Sequence, residues 1–115
     1  SAAITGHLVL STVHASDVPQ AVRRLAALAS RELPQTDTAD LISSCLHCCI
    51  HQRLEKMGVV RPGDTGLSNR RLDATVLFTS KAPRTLIRDL KFERLNDEIA
   101  MQRKRLLSSA RLTSV

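Results

Sequence analysis

Residues 7–13 read His-Leu-Val-Leu-Ser-Thr-Val, and His14, Ala15, Ser16, Asp17 and, two positions on, Pro19 follow. No other stretch restricts the fold as much. A short apolar run rich in Val and Leu, opened by Thr5-Gly6, has the pattern of a buried strand of a parallel sheet. Ser16 and Asp17 offer side-chain oxygens for a helix N-cap. Pro19 suits a first turn, where its missing N–H costs nothing, and Val22, Leu25, Ala26 and Leu28 recur at helical spacing. The unit reads as strand, polar turn, helix. It points the N–H groups of a helix N-terminus at the crevice beyond the strand's carboxyl end, where open α/β sheets take ligands.

Downstream, residues 33–36 read as a linker. Asp37 or Thr38 is placed to cap a helix expected to run to about Met57, with Gly58 as its C-terminal stop. Residues 60–71, holding Pro62, Gly63 and Gly66, read as a turn-rich loop. Residues 72–79 alternate, with Leu72, Ala74, Val76 and Phe78 on one face, and predict a second strand. Beyond them Leu86, Ile87 and Leu90 define one apolar stripe. Phe92, Leu95, Ile99 and Leu106 fall on another, so two helices with a break near Lys91 are expected.

Composition narrows the function classes. The 115 residues suit one domain, and no run approaches the roughly 18 apolar residues of a spanning helix. Phe78 and Phe92 are the only aromatic side chains among Phe, Trp and Tyr, so the stacking platform of base-reading sheets is missing. The 17 Lys and Arg outnumber 11 Asp and Glu, and from Lys81 onward the count is nine against four, so +5 of the +6 net charge lies in the last third. Such density attracts phosphate, anionic lipid or an acidic partner surface. The N-terminus shows no basic-then-apolar signal, and three cysteines within five positions make no disulfide framework, which fits a reducing cytosol.

Cys45, His47, Cys48, Cys49 and His51 invite a metal reading. On the expected helix, however, Cys45 and Cys49 share the arc of Leu41, Ile42 and Leu46, while His47 and His51 lie opposite with Asp40 and Ser44. No metal site is expected, and Cys45 and Cys49 read as small buried apolar residues. A phosphate-cradling loop is also missing, since no lysine follows a glycine. No Gly-x-Ser-x-Gly elbow is present.

What remains is a pair of histidines at the ends of one apolar run, and here the wording is specific. Thr5-Gly6-His7-Leu8-Val9, Thr12, His14 and then Arg24-Leu25 resemble the histidine box of the secretion and traffic ATPases. This P-loop family powers type II secretion, type IV pilus assembly and retraction, and conjugative or type IV secretion. Two further stretches are similar to the family in the same order. Ile50-His51-Gln52-Arg53-Leu54 resembles the Gln-Arg-Leu element expected to close a later helix, and residues 82–89 resemble a motif of the pilus-retraction ATPases. The family's tetracysteine insert has no counterpart, as residues 55–75 hold no cysteine. That departure favours a retraction-type or conjugation-type relative, whereas Asp73-Ala74-Thr75 and Pro83 depart from the retraction pattern.

The resemblance implies an α/β fold: the C-terminal part of a RecA-like P-loop ATPase domain, with short strands followed by a helical C-terminal region. Residues 1–80 would be the core with the histidine box and residues 81–115 the helical region. It implies ATP and Mg2+ in an intact parent, a homo-oligomer expected to be a hexamer, and an inner-membrane platform of a pilus or secretion machine as partner. The location would be cytoplasmic and peripheral at that membrane, with no direct nucleic acid. His14 is the expected γ-phosphate sensor or water-positioning residue, Thr12 joins it in nucleotide binding, and His7 is the second catalytic candidate. An extended run would hold the two histidines about 23 Å apart at 3.3 Å per residue, so one of them at most touches the phosphate. Arg84 and Arg88 are expected on one face of the first C-terminal helix, in subunit contact or force transmission. The chain reads as a fragment lacking the Walker A lysine and inactive alone. The competing reading is a non-enzymatic basic module that binds an acidic partner, nucleic acid or membrane surface through residues 81–111.

Overall fold

Asp17 starts the first helix. Its carboxylate accepts a hydrogen bond from the Gln20 N–H at 2.9 Å, Pro19 occupies the first turn, and α1 runs over Val18–Ala29. The structure, a computed structural model, describes residues 6–56 and 70–113. After α1 come α2 (Gln35–Cys45), β1 (Cys48–Lys56), β2 (Arg70–Phe78), α3 (Lys81–Arg88), a 3-10 turn (Phe92–Arg94) and α4 (Leu95–Thr113). The result is a small mixed α/β domain.

The expected helix to Met57 ends a dozen residues early. Leu46 takes an extended conformation with ψ 119°, its N–H closing on the Ile42 carbonyl at 2.9 Å, and the chain continues as a strand. The reason is tertiary. Residues 48–56 pair antiparallel with 70–78, from Cys48 opposite Phe78 to Lys56 opposite Arg70. That ladder satisfies backbone groups and covers the core, and context of this kind overrides a weak helical pattern. The Gln-Arg-Leu element therefore lies on β1 rather than closing a helix. Gly58 and most of the expected turn-rich loop lie outside the described residues, while Arg70 and Arg71 belong to β2.

The sheet corrects two further expectations. Among the described residues it has two antiparallel strands and is not parallel. Residues 7–13 belong to neither strand, and Leu8 and Leu10 are 84% and 88% exposed, because no described element covers their side chains. The strand expected at 72–79 forms, but its apolar register faces the other way. Leu77 is wholly buried whereas Leu72 is 61% exposed, since the helices pack on the face carrying Cys49 and Leu77.

The core joins every element. Val18 and Val22 of α1, Ile42 of α2, Leu77 of β2, Ile87 of α3, Phe92 and Leu95 form one buried cluster, with Leu25, Leu46, Cys49, Leu86, Leu90 and Ile99 packed against it. The break expected near Lys91 is present. Leu90 adopts φ +61°, its N–H reaches the Ile87 carbonyl at 3.1 Å, and the Lys91 N–H reaches Leu86 at 2.8 Å. This is a Schellman closure, here with leucine where glycine is usual. The second stripe runs out at Leu106, which is exposed, because α4 from residue 103 to 110 extends beyond the body. At the root of α4 the Gln102 amide accepts from the Phe78 N–H at 3.0 Å and donates to the Phe78 carbonyl at 2.7 Å, closing the end of β2. Among the described residues no helix is long and apolar enough to cross a membrane.

Candidate functional site

The turn between residues 13 and 18 carries the candidate site. A groove of 550 Å³ opens there, lined by His14, Ser16, Gln20, Arg23 and Arg24. His14 and Thr12 are exposed, as is His7 at the far end of the run. His14 and Arg24 border the groove; Thr12 and His7 do not line it.

The groove draws its positive character from side chains more than from the helix end. Asp17 already occupies the Gln20 N–H, the Ala21 N–H closes on the Asp17 carbonyl at 3.0 Å, and Pro19 has no N–H to give. Little of the first turn of α1 remains for an anion, and the Asp17 carboxylate opposes one. His14, Gln20, Ser16 and the two arginines supply the donors instead. Arg23 pairs with Glu93 and lies over the Phe92 ring, 5.8 Å from its centroid. A hydrogen bond at its own backbone, followed by the Arg23 guanidinium, holds the Glu93 carboxyl below its usual range. Arg24 donates through Nη1 to the His14 carbonyl at 3.1 Å.

A side chain that the sequence placed elsewhere also reaches this turn. His51 of β1 lies 3.2 Å through Nε2 from the Ala15 carbonyl; a carbonyl only accepts, so Nε2 is the donor. Helical spacing had set His51 on a polar outer face beside His47. With a period of two it falls on the core-side face with Cys49. The alternation of Cys49, His51, Arg53 and Glu55 against Ile50 and Leu54 marks a strand, but its hydropathy would turn Ile50 and Leu54 inward, and both are exposed.

The cysteines are rearranged by the same correction. Cys45 ends α2, Cys48 is exposed at the start of β1, and Cys45 and Cys49 are half-buried rather than buried. Burial and then the neighbouring Cys48 push the Cys49 thiol up. Among the described residues no three His, Cys, Asp or Glu side chains are grouped to hold a metal.

Arg84 and Arg88 have separate settings. Arg84 turns into the body: Nε donates to the Thr79 carbonyl at 2.7 Å, and Nη1 to the Ser43 and Ser44 carbonyls at 2.9 and 3.0 Å. Buried Ser43 returns a bond from Oγ to the Arg84 carbonyl at 2.9 Å. Arg84 thereby caps the C-terminus of α2 and ties it to the end of β2. Arg88 stays exposed and faces Asp40 at 3.5 Å.

The donor set fits the phosphoryl end of a nucleotide. Imidazole, guanidinium, amide and hydroxyl groups border one open groove and suit oxygen acceptors. It does not fit Mg2+, because no carboxylate is among the residues that line the groove.

Fold and groove together describe a small α/β domain in which His14 and two arginines border one open groove. The chain belongs to the type II/IV secretion system protein family, which it matches over residues 1–106. It is thereby related to the secretion ATPases. No curated protein and no solved structure matches it.

Proposed function

We propose that this chain is the histidine-box part of a RecA-like ATPase domain in a secretion or pilus motor. In it the groove beside α1 receives the terminal phosphate of ATP, and the observation that carries the reading is the convergence of exposed His14 with Arg24 and Gln20 on one groove. An imidazole N–H there can donate to a phosphoryl oxygen, where charge accumulates during transfer. ATP would supply the phosphoryl group, and Mg2+, for which this groove offers no carboxylate, would supply charge neutralisation.

Residues 7–13 support the same reading. Their Val and Leu composition suits a central strand, and their exposure is what a strand shows when its sheet partners lie outside the described residues. Thr12 and His7 would then take their places on that sheet. The exposed half of α4, with Arg103, Lys104 and Arg105, and the exposed Arg88 would serve subunit contacts within a hexamer and contact with an inner-membrane platform, at the cytoplasmic side.

The test is ATP turnover by the complete polypeptide that carries this sequence. His14→Ala is expected to lower kcat by about 10²-fold or more, the size of losing one preorganised donor to the transferring group, with ATP binding retained. Unchanged turnover would sink the assignment. The 115-residue chain alone is expected to bind ATP only weakly, through its terminal phosphates. Tight binding by it would point to a site other than this groove, and anionic-vesicle or acidic-peptide binding without any ATP function in the complete polypeptide would favour the basic-module reading.

A further inference from the structure

Four consecutive residues, 14–17, form the turn that carries His14, and three of their carbonyls are tied down. The His14 carbonyl accepts from Arg24 Nη1 at 3.1 Å, the Ala15 carbonyl from His51 Nε2 at 3.2 Å, and the Asp17 carbonyl from the Ala21 N–H at 3.0 Å. Two of these ties come from α1 itself and move with it. The His51 tie comes from the sheet, 36 positions along the chain.

We propose that His51 is the positioning residue of His14, holding the turn so that the His14 imidazole is presented at the phosphate groove. The inference rests on the reading of that groove as a phosphate site.

The sheet makes His51 a fixed point. Its neighbour on the same face, Cys49, packs against the core opposite buried Leu77, while the next pair outward, Arg53 and Asp73, is exposed. His51, opposite Thr75, therefore stands at the rim of the core, half-buried, where the chain enters α1. Fixing the carbonyls of residues 14 and 15 orients two successive peptide planes. The first of these planes contains the Cα of His14, so that atom is held at the rim of the groove, while the exposed side chain still turns about its own bonds. A donor group held in place before its ligand arrives loses less entropy on binding than one that must be ordered. Partners that orient metal-binding histidines are worth about 10–100-fold in affinity or activity, and a support that acts through the backbone is expected at the low end, about tenfold.

The experiment titrates inorganic pyrophosphate into the isotopically labelled 115-residue chain. It follows the His14 ring resonances and the backbone order of residues 14–16 by nuclear magnetic resonance, in the wild type, His51→Gln and His51→Leu. Glutamine can offer an N–H toward the Ala15 carbonyl, whereas leucine fills the space without a donor. In the wild type and His51→Gln the His14 ring is expected to respond at similar pyrophosphate concentrations. In His51→Leu the response should need roughly tenfold more, with order parameters at residues 14–16 falling from the rigid value of about 0.85 toward 0.6.

Wild-type and leucine chains that respond alike, with unchanged order, overturn the positioning role. A wild-type His14 ring that ignores pyrophosphate overturns the phosphate reading instead. The order parameters then still decide whether His51 holds the turn. Should His51→Leu fail to fold, His51→Asn, whose amide is too short to reach, replaces it against His51→Gln, and equal behaviour of those two overturns the proposal.

Discussion

Replacing Arg84 with methionine removes three guanidinium hydrogen bonds while keeping most of the aliphatic stem. The carbonyls of Thr79, Ser43 and Ser44 lose donors at 2.7, 2.9 and 3.0 Å. Two of those carbonyls belong to the last turn of α2, where no intrahelical N–H is available to replace the guanidinium. At about 1.5 kcal/mol for each of the two half-buried, charge-assisted bonds and little for the exposed one to Ser44, the loss is about 3 kcal/mol. A chain of this length has a total stability of roughly 6–17 kcal/mol. Urea unfolding followed by far-UV circular dichroism should show the midpoint falling by about 1–3 M at an unchanged slope of ~1–3 kcal/mol per molar. Arg84→Lys, a point charge without the planar fork, should recover less than half. A methionine variant within about 0.5 kcal/mol of wild type, the range of ordinary surface changes, would refute the view of Arg84 as the tie between α2 and β2.

Four shorter tests follow. Leu77→Ala should cost about 2–5 kcal/mol in the same unfolding assay, and Leu72→Ala on the opposite face less than about 0.5; the reverse order would mean that the register of the hairpin is shifted. Asp17→Ala should lower stability by about 1 kcal/mol through loss of the cap on Gln20, measurable as a lower thermal midpoint. The Glu93 carboxyl titrates below its usual range, so its contribution to stability is present above the unfolded-state pKa and is lost as pH falls through the folded-state value. Carbon-detected titration should show this midpoint rising in Arg23→Ala, though not fully, because the backbone bond remains. Iodoacetamide under native conditions should label exposed Cys48 before Cys49, whose thiol is raised by burial, as mass spectrometry of the peptides would report.

Local chemistry was legible wherever a few neighbouring residues decide the outcome. Asp17 and Pro19 announce the start of α1, and the changed angle of the apolar stripe around Lys91 announces the break between α3 and α4. The residues around His7 and His14 carry the family relation without any coordinates. The candidate site was only partly legible, since His14 and Arg24 stood out by their motif while His51 did not. Its placement depends on whether residues 48–56 coil or extend, and that choice is made by residues 70–78.

By itself, then, the sequence determined caps, breaks, charge placement and kinship, because each depends on side chains close together along the chain. Tertiary structure alone decided that residues 46–56 leave the helix and that Leu77 rather than Leu72 is buried. It also decided that Arg84 turns inward and that His51 meets the Ala15 carbonyl. Each of those outcomes hangs on a partner dozens of residues away, and the free energy of pairing a backbone or burying a face exists only once that partner is in place.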